Sequence, residues 1–267
     1  MKSLKEFHNL NGKVAIINGA AGNLGIVHAE ALAELGCNIA LTDIREEKAQ
    51  EIAKEISDKY NIKAIGLKID LFQKETIQET FKKIFEQLGR IDILINNAQY
   101  SPPEDIEPVE TFDKDVWDKV MAINVTGTFL SCQQVEKYMT NGGTILNMGS
   151  IMGVIAPDRR IYEGSTYEGK TMNSPLVYST SKAAIIGLTR YLAVDWAKKN
   201  IRVNCISAAG FESGQTDLFK SKYQDKIPMA RMANKEELKG AIIYLCSEAS
   251  SFVTGHNLIL DGGMSSW

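Results

Sequence analysis

The sequence predicts an α/β fold: a Rossmann-type doubly wound parallel sheet of about seven strands with helices on both faces. Three observations carry that expectation. Short β-branched apolar runs alternate with longer stretches of helical period. The short runs are apolar almost continuously, as strands buried on both faces must be. A glycine-rich turn joins the first run to the first helical stretch.

The predicted strands are Val14–Ile17, Asn38–Thr42, Ala64–Ile69, Ile91–Ile95, Thr144–Asn147, Ile201–Ile206 and Asn257–Leu260. Helical period appears at Leu24–Leu35, Glu46–Tyr60, Lys74–Leu88 and Lys235–Ser247, and around Asp115–Met139 and Tyr178–Lys199. Gly36 and Gly89 follow helices and are expected as left-handed caps. Asn141-Gly142-Gly143 marks the entry to the fifth strand. Crossovers in such a sheet are right-handed. No repeat or linker interrupts the pattern, so residues 1–267 are expected to form one domain. The stretch Ala156–Pro175, with two prolines, two glycines and mixed charge, is expected as an inserted loop at about 154–176.

A chain of 267 residues buries roughly 70–75% of its unfolded surface and needs no covalent staples. A net charge of −3 speaks against a nucleic-acid or polyanion partner. Cys37, Cys132, Cys205 and Cys246 form no CxxC pair and are expected as reduced core residues. His8, His28 and His256 lie far apart, which argues against a zinc site or a histidine-based triad. Met1–Lys13 is polar, with no signal peptide and no run of membrane-spanning length, so the expected location is the cytoplasm, with no membrane partner.

The turn after the first strand contains Gly19, Gly22, Asn23, Leu24 and Gly25. Such a turn lets backbone amides approach a pyrophosphate at a helix N-terminus. Asn23 is expected to tolerate positive φ there. On its own the motif also fits a tight turn without a ligand. Asp43 ends the second strand, 24 residues after Gly19. A carboxylate there accepts both ribose hydroxyls of an adenosine and repels a 2′-phosphate, favouring NAD over NADP. Arg45 could weaken that preference, but its simpler reading is a solvated residue at a helix start.

Tyr178 and Lys182 stand at i and i+4 of a predicted helix and share a face. An ammonium beside a phenol stabilises the phenolate, and Tyr178 could then exchange a proton with a carbonyl or hydroxyl oxygen. In isolation the pair fits an exposed amphipathic face equally well.

In order and context, however, the chain resembles the short-chain dehydrogenase/reductase family from about Lys13 to Gly263. The glycine turn comes first. Asp70-Leu71 follows the third strand, and Asn96-Asn97-Ala98 follows the fourth, like the family's NNAG. Asn124 lies in the next helix. Asn147-Met148-Gly149-Ser150 ends the fifth strand, Tyr178 and Lys182 match YxxxK, and Thr254-Gly255 with Asp261-Gly262-Gly263 match the family's C-terminal motif. The resemblance implies a catalytic set of Asn124, Ser150, Tyr178 and Lys182. It implies a bound NAD contacted by Gly19, Gly22, Asn23, Leu24, Gly25, Asp43, Asp70, Leu71, Asn97, Ala98, Tyr178, Lys182, Ala209 and Ser213. It also implies a homodimer or homotetramer. One candidate face is the apolar stripe Ala183, Ile186, Leu188, Leu192 and Trp196, although such a stripe also suits packing on the sheet.

The chain departs from the family pattern at Asn18, Asn23, Gln99 and Ala208-Ala209, which replace Thr, Gly, Gly and Pro-Gly. Between Ser150 and Tyr178 lie 27 residues, more than the family usually has. Within them Arg159, Arg160 and Lys170, together with Gln99 near the nicotinamide, are candidate substrate contacts; a solvated loop is the alternative. The run Ala156–Gly164 resembles bacterial oxidoreductases of nonulosonic-acid and other surface-sugar pathways, the flagellin-glycan enzymes among them. That implies a sugar-like small-molecule substrate. Two alternatives stay open: a general ketone or 3-oxoacyl reductase, and a non-catalytic nucleotide-binding sensor or scaffold.

Overall fold

The computed structural model describes residues 1–167, 170–171 and 173–267, with side chains outside 167–172. The strands are β1 (Val14–Asn18), β2 (Asn38–Asp43), β3 (Ala64–Lys68), β4 (Ile93–Asn96), β5 (Gly143–Met148), β6 (Thr166–Tyr167), β7 (Lys170–Thr171), β8 (Ile201–Ala208) and β9 (Asn257–Leu260). Seven of them form one parallel sheet in the order β3-β2-β1-β4-β5-β8-β9. The helices are α1 (Leu4–Phe7), α2 (Asn23–Ala33), α3 (Glu46–Tyr60), α4 (Lys74–Leu88), α5 (Lys114–Met121), α6 (Thr128–Glu136), α7 (Leu176–Trp196), α8 (Asp217–Gln224) and α9 (Leu238–Cys246).

The strand alternation divides the core in two. Ala15, Ile17, Ile39, Leu41 and Ile95 face one side and pack against α2, α3 and α9. Ile16, Leu94, Ile145 and Val203 face the other and pack against α4, α6 and α7. Fully burying one such side chain contributes about 1.5–3 kcal/mol. Both glycine caps form: Gly36 has φ 82° and Gly89 φ 79°. All four cysteines are buried and unpaired.

Strand order reverses beside β1, which opens a crevice at the carboxyl ends of β1 and β4. Within 154–176 the described residues form a short turn at Arg159–Ile161 and the antiparallel pair of β6 with β7. Ile161 and Tyr162 pack on Tyr223 and Ile227, so the segment is joined to α8. The stripe on α7 faces inward in part: Ile186, Leu192 and Trp196 are buried in the chain's own core. The strongly exposed apolar side chains on α7 are instead Tyr191 and Val194, at 71% and 82% exposure. Among the described residues, no helix is long and apolar enough to cross a membrane.

Candidate active site

A cleft of about 890 Å³ lies at the carboxyl ends of the strands. At one end β1 turns into α2. Gly19 has φ +74°, and a Cβ on it would lie 2.7 Å from the Ala98 amide nitrogen. Only glycine fits both constraints. Gly25 passes close to the turn that follows β1: a Cβ there would lie 2.5 Å from Ala20 O. Gly22 is the N-cap of α2, and Asn23 is its first helical residue. Asn23 therefore has no left-handed conformation to tolerate, contrary to the expectation for it. The helix simply begins where the family's middle glycine would stand.

Asp43 is buried at the end of β2. Its Oδ2 accepts from Ala21 N at 3.0 Å, and its Oδ1 accepts from Arg45 N and Nε, each at 3.0 Å. Arg45 is thus folded onto the carboxylate, not simply solvated. A carboxylate has about four acceptor sites, so capacity remains toward the cleft. Asp70 also lines the cleft, though its carboxylate accepts from Phe72 N at 2.9 Å. Leu71, Asn97, Ala98, Gln99, Ala209 and Ser213 line it as well. Asn97 Nδ2 donates to Gly19 O at 2.8 Å, while its Oδ1 lies 3.0 Å from His28 Nε2. Burial holds the His28 imidazole down at about 4, so it is neutral.

The strand ends are tied by a buried polar ladder that sequence reading missed. Thr42 Oγ1 donates to Asn18 Oδ1 at 2.7 Å, and Asn18 Nδ2 donates to Asn96 Oδ1 at 3.0 Å. Asn96 Nδ2 donates to Asn147 Oδ1 at 2.9 Å, and Asn147 Nδ2 to Thr189 Oγ1 at 3.0 Å. The departure at Asn18 thus supplies a two-way amide where a hydroxyl has less reach. The signal was three asparagines, each the last or next-to-last residue of its strand.

At the other end of the cleft stand Ser150, Tyr178 and Lys182. Ser150 lies two residues past β5, where its hydroxyl accepts from Met152 N at 3.2 Å and stands close enough to the Tyr178 phenol to affect its titration. Burial raises the Tyr178 pKa, and the Ser150 hydroxyl opposes that rise. Lys182 Nζ lies 5.5 Å from the centre of the Tyr178 ring and donates to Met148 O at 2.7 Å. Burial lowers the Lys182 ammonium to about 8. Asn124 sits in a π turn, Ala122–Gly127, between α5 and α6. Its side chain pairs with both backbone groups of Tyr100, at 2.7 and 3.0 Å, and reaches Ser181 Oγ at 3.3 Å. Single π turns inside helices commonly mark functional sites.

Two substrate candidates lie elsewhere. Arg160 is exposed and forks onto Asp158 through Nε at 2.8 Å and Nη2 at 2.7 Å. Arg159, also exposed, points its Nη2 at Asn173 Oδ1, 3.4 Å away. Neither lines the cleft. The adjacent aspartate neutralises Arg160 locally, and the apolar residues Ile161 and Tyr162 are the ones the segment turns inward. The Lys170 side chain lies outside the described residues. The substrate end is walled by Met152, Phe219, Tyr223 and Met232, with Gln99 exposed at its edge. Sequence reading missed Tyr223, which reaches the cleft from a helix 45 residues after Tyr178.

The donor set fits a nicotinamide dinucleotide: a cradle that a Cβ at Gly19 would fill, a carboxylate at the β2 end, and a cleft running on to Tyr178.

Comparison with known proteins agrees. The family model described as enoyl-(acyl carrier protein) reductase matches residues 19–265. The chain is 33% identical over 261 residues to the 3-oxoacyl-[acyl-carrier-protein] reductase of Aquifex aeolicus, covering 96% of this chain and 98% of that protein. It is 35% identical over 282 residues to the ribulose-forming D-arabinitol 2-dehydrogenase of Scheffersomyces stipitis, covering 97% and 95%. Among solved structures, NAD⁺-bound xylitol dehydrogenase superposes with a TM-score of 0.85 at 32% identity, covering 95% and 99%. With the fold, the motif order and relatives matched along nearly their whole length, the chain belongs to the short-chain dehydrogenase/reductase family and is an enzyme of that family.

Proposed function

We propose that this protein is an NAD(H)-dependent oxidoreductase that interconverts a secondary alcohol and a ketone on a polyhydroxylated, sugar-like substrate. The observation that carries the reading is the convergence of Ser150, Tyr178 and Lys182 at the inner end of a dinucleotide-shaped cleft.

Gly19, Gly22, Asn23, Leu24 and Gly25 would hold the pyrophosphate, and Asp43 the adenosine ribose. Asp70, Leu71, Asn97 and Ala98 would flank the adenine and inner ribose, with Ala209 and Ser213 beside the nicotinamide. When bound, the dinucleotide supplies the hydride acceptor or donor. In the oxidation direction the phenolate of Tyr178 takes the hydroxyl proton as the carbon loses hydride. In reduction the phenol returns it to the oxygen. The Ser150 hydroxyl bonds the same oxygen and orients it. Lys182, beside the ring, stabilises the phenolate. Asn124 holds the segment that carries Gln99 and Tyr100, and so shapes the mouth.

The polyol reading is supported by the names of relatives and by a substrate end that offers Gln99 and the Tyr223 hydroxyl beside apolar walls. A narrower reading, a sugar of surface-glycan biosynthesis, draws on the Ala156–Gly164 run. The apolar wall of Met152, Phe219 and Met232 favours one alternative, a 3-oxoacyl reductase. A homodimer or homotetramer is proposed with Tyr191 and Val194 of α7 at an interface. Nicotinamide absorbance should be followed with NAD and NADP in parallel. The panel is D-arabinitol, xylitol, a nucleotide-linked sugar and a 3-oxoacyl thioester. Turnover of a polyol or sugar with NAD supports the proposal; turnover of the thioester alone rejects it.

A further inference from the structure

Asp105 does not line the cleft, yet it is fully buried, at 0% exposure. It sits in a short turn, Pro103–Ile106, between β4 and α5. Its Oδ1 accepts from Val177 N at 3.0 Å and Tyr178 N at 3.3 Å, and its Oδ2 accepts from Ser101 Oγ at 3.1 Å. Val177 and Tyr178 are the second and third residues of α7, whose amides have no acceptor within the helix. The N-cap of α7 is Pro175, which has no side-chain acceptor to offer. The helix that carries Tyr178 and Lys182 is therefore capped by a carboxylate from 72 residues upstream. The same segment is fastened at its other end, where Tyr100 pairs with Asn124.

We propose that Asp105 is a positioning residue for Tyr178: it fixes the first turn of α7, hence the place of the phenol, and sets a negative charge beside it. The groups facing Tyr178 are Lys182 on its own helix, Ser150 after β5, Tyr223 on α8, Tyr162 in the 154–176 segment, and Asp105. Burial raises both other phenols, so they stay neutral. Below about pH 8 Lys182 and Asp105 are then the opposed charges of this set; above it Asp105 is the charge that remains beside the phenol. The ammonium favours the phenolate and the carboxylate disfavours it.

The inference rests on the proposed function in taking Tyr178 as the proton-transfer group, but its test does not depend on turnover. The full chain is compared with Asp105→Asn and Asp105→Ala, each also carrying Tyr178→Phe as a reference. The difference in ultraviolet phenolate absorbance within each pair titrates Tyr178 alone. Asp105→Asn keeps an acceptor for both amides and removes the charge. Its Tyr178 midpoint should fall by about half a pH unit or more. With NAD and D-arabinitol as probe, Asp105→Ala should lose about tenfold in kcat, Asp105→Asn should stay within about threefold, and NAD affinity should be unchanged in both. An unmoved midpoint in Asp105→Asn overturns the inference. So does a wild-type kcat in Asp105→Ala. If even the parent protein is silent with every substrate, the proposed function fails, while the titration still decides for or against Asp105.

Discussion

The backbone amide of Gly210 donates to the phenolic oxygen of Tyr223 at 2.7 Å. Gly210 follows Ala208-Ala209, where the family usually bends the chain with Pro-Gly. A Cβ on Gly210 would lie 3.1 Å from Tyr223 Oη and 3.0 Å from Met232 Cε. Tyr223 is itself stacked on Phe219, with ring centres 5.5 Å apart. A side chain from α8 thus fixes the loop that a rigid dipeptide fixes elsewhere. Removing the hydroxyl in Tyr223→Phe leaves a part-buried amide unpaired. We expect a loss of about 1–3 kcal/mol in unfolding free energy, and NAD affinity weakened several-fold, read by denaturant unfolding and calorimetry.

We propose that Asp43 and Arg45 set the choice between NAD and NADP. The carboxylate repels a 2′-phosphate, and the guanidinium folded onto it offsets part of that charge. Asp43→Ser, with Arg45 kept, should raise kcat/KM for NADP by about tenfold or more. Arg45→Ala should sharpen the preference for NAD. Parallel kinetics with the two cofactors decide both.

Lys182 links activity to stability. Burial lowers its folded-state pKa to about 8, against an ordinary 10.5. Below pH 8 both folded and unfolded chains carry the proton, and the cost of burying the ammonium is fully present. Between those two values the unfolded chain binds the proton and the folded chain does not, so stability rises with pH. Relative to Lys182→Met, the unbound wild type should gain on the order of 3 kcal/mol across that window. Urea unfolding of both proteins at a series of pH values measures it. A difference that stays flat with pH contradicts the argument.

The ladder through Asn18 has its own consequence. Asn18→Leu strips partners from Thr42, Asn96 and Ser131, all buried. Each such loss costs about 1–3 kcal/mol, so denaturant unfolding should show a severe defect. Asn18→Thr, the family's usual residue, should restore part of it.

The parallel sheet of seven strands and most helices were legible because burial on two faces leaves uninterrupted apolar runs that differ in length from helical stretches; the order of the strands in the sheet is a finding of the structure. The positions of Ser150, Tyr178 and Lys182 were legible through their motifs. What was hidden depends on contacts between distant segments. Asp105 caps a helix 72 residues away, and Tyr223 reaches Gly210 from a separate helix. Neither local composition nor period marks such pairs. Arg159 and Arg160 misled because charge in a loop says nothing about direction: Asp158, one and two positions before them, holds Arg160 outside the cleft. Asn23 misled because α2 begins at that residue, so its backbone is helical and no left-handed turn is needed there.

The proposed mechanism turns on proton transfer by Tyr178. Its most direct test is Tyr178→Phe, assayed by nicotinamide absorbance on the best substrate of the panel and by calorimetric NAD binding. We expect turnover reduced by about a thousandfold or more with NAD affinity within about twofold of wild type. Turnover near the wild-type rate, with binding intact, would contradict it.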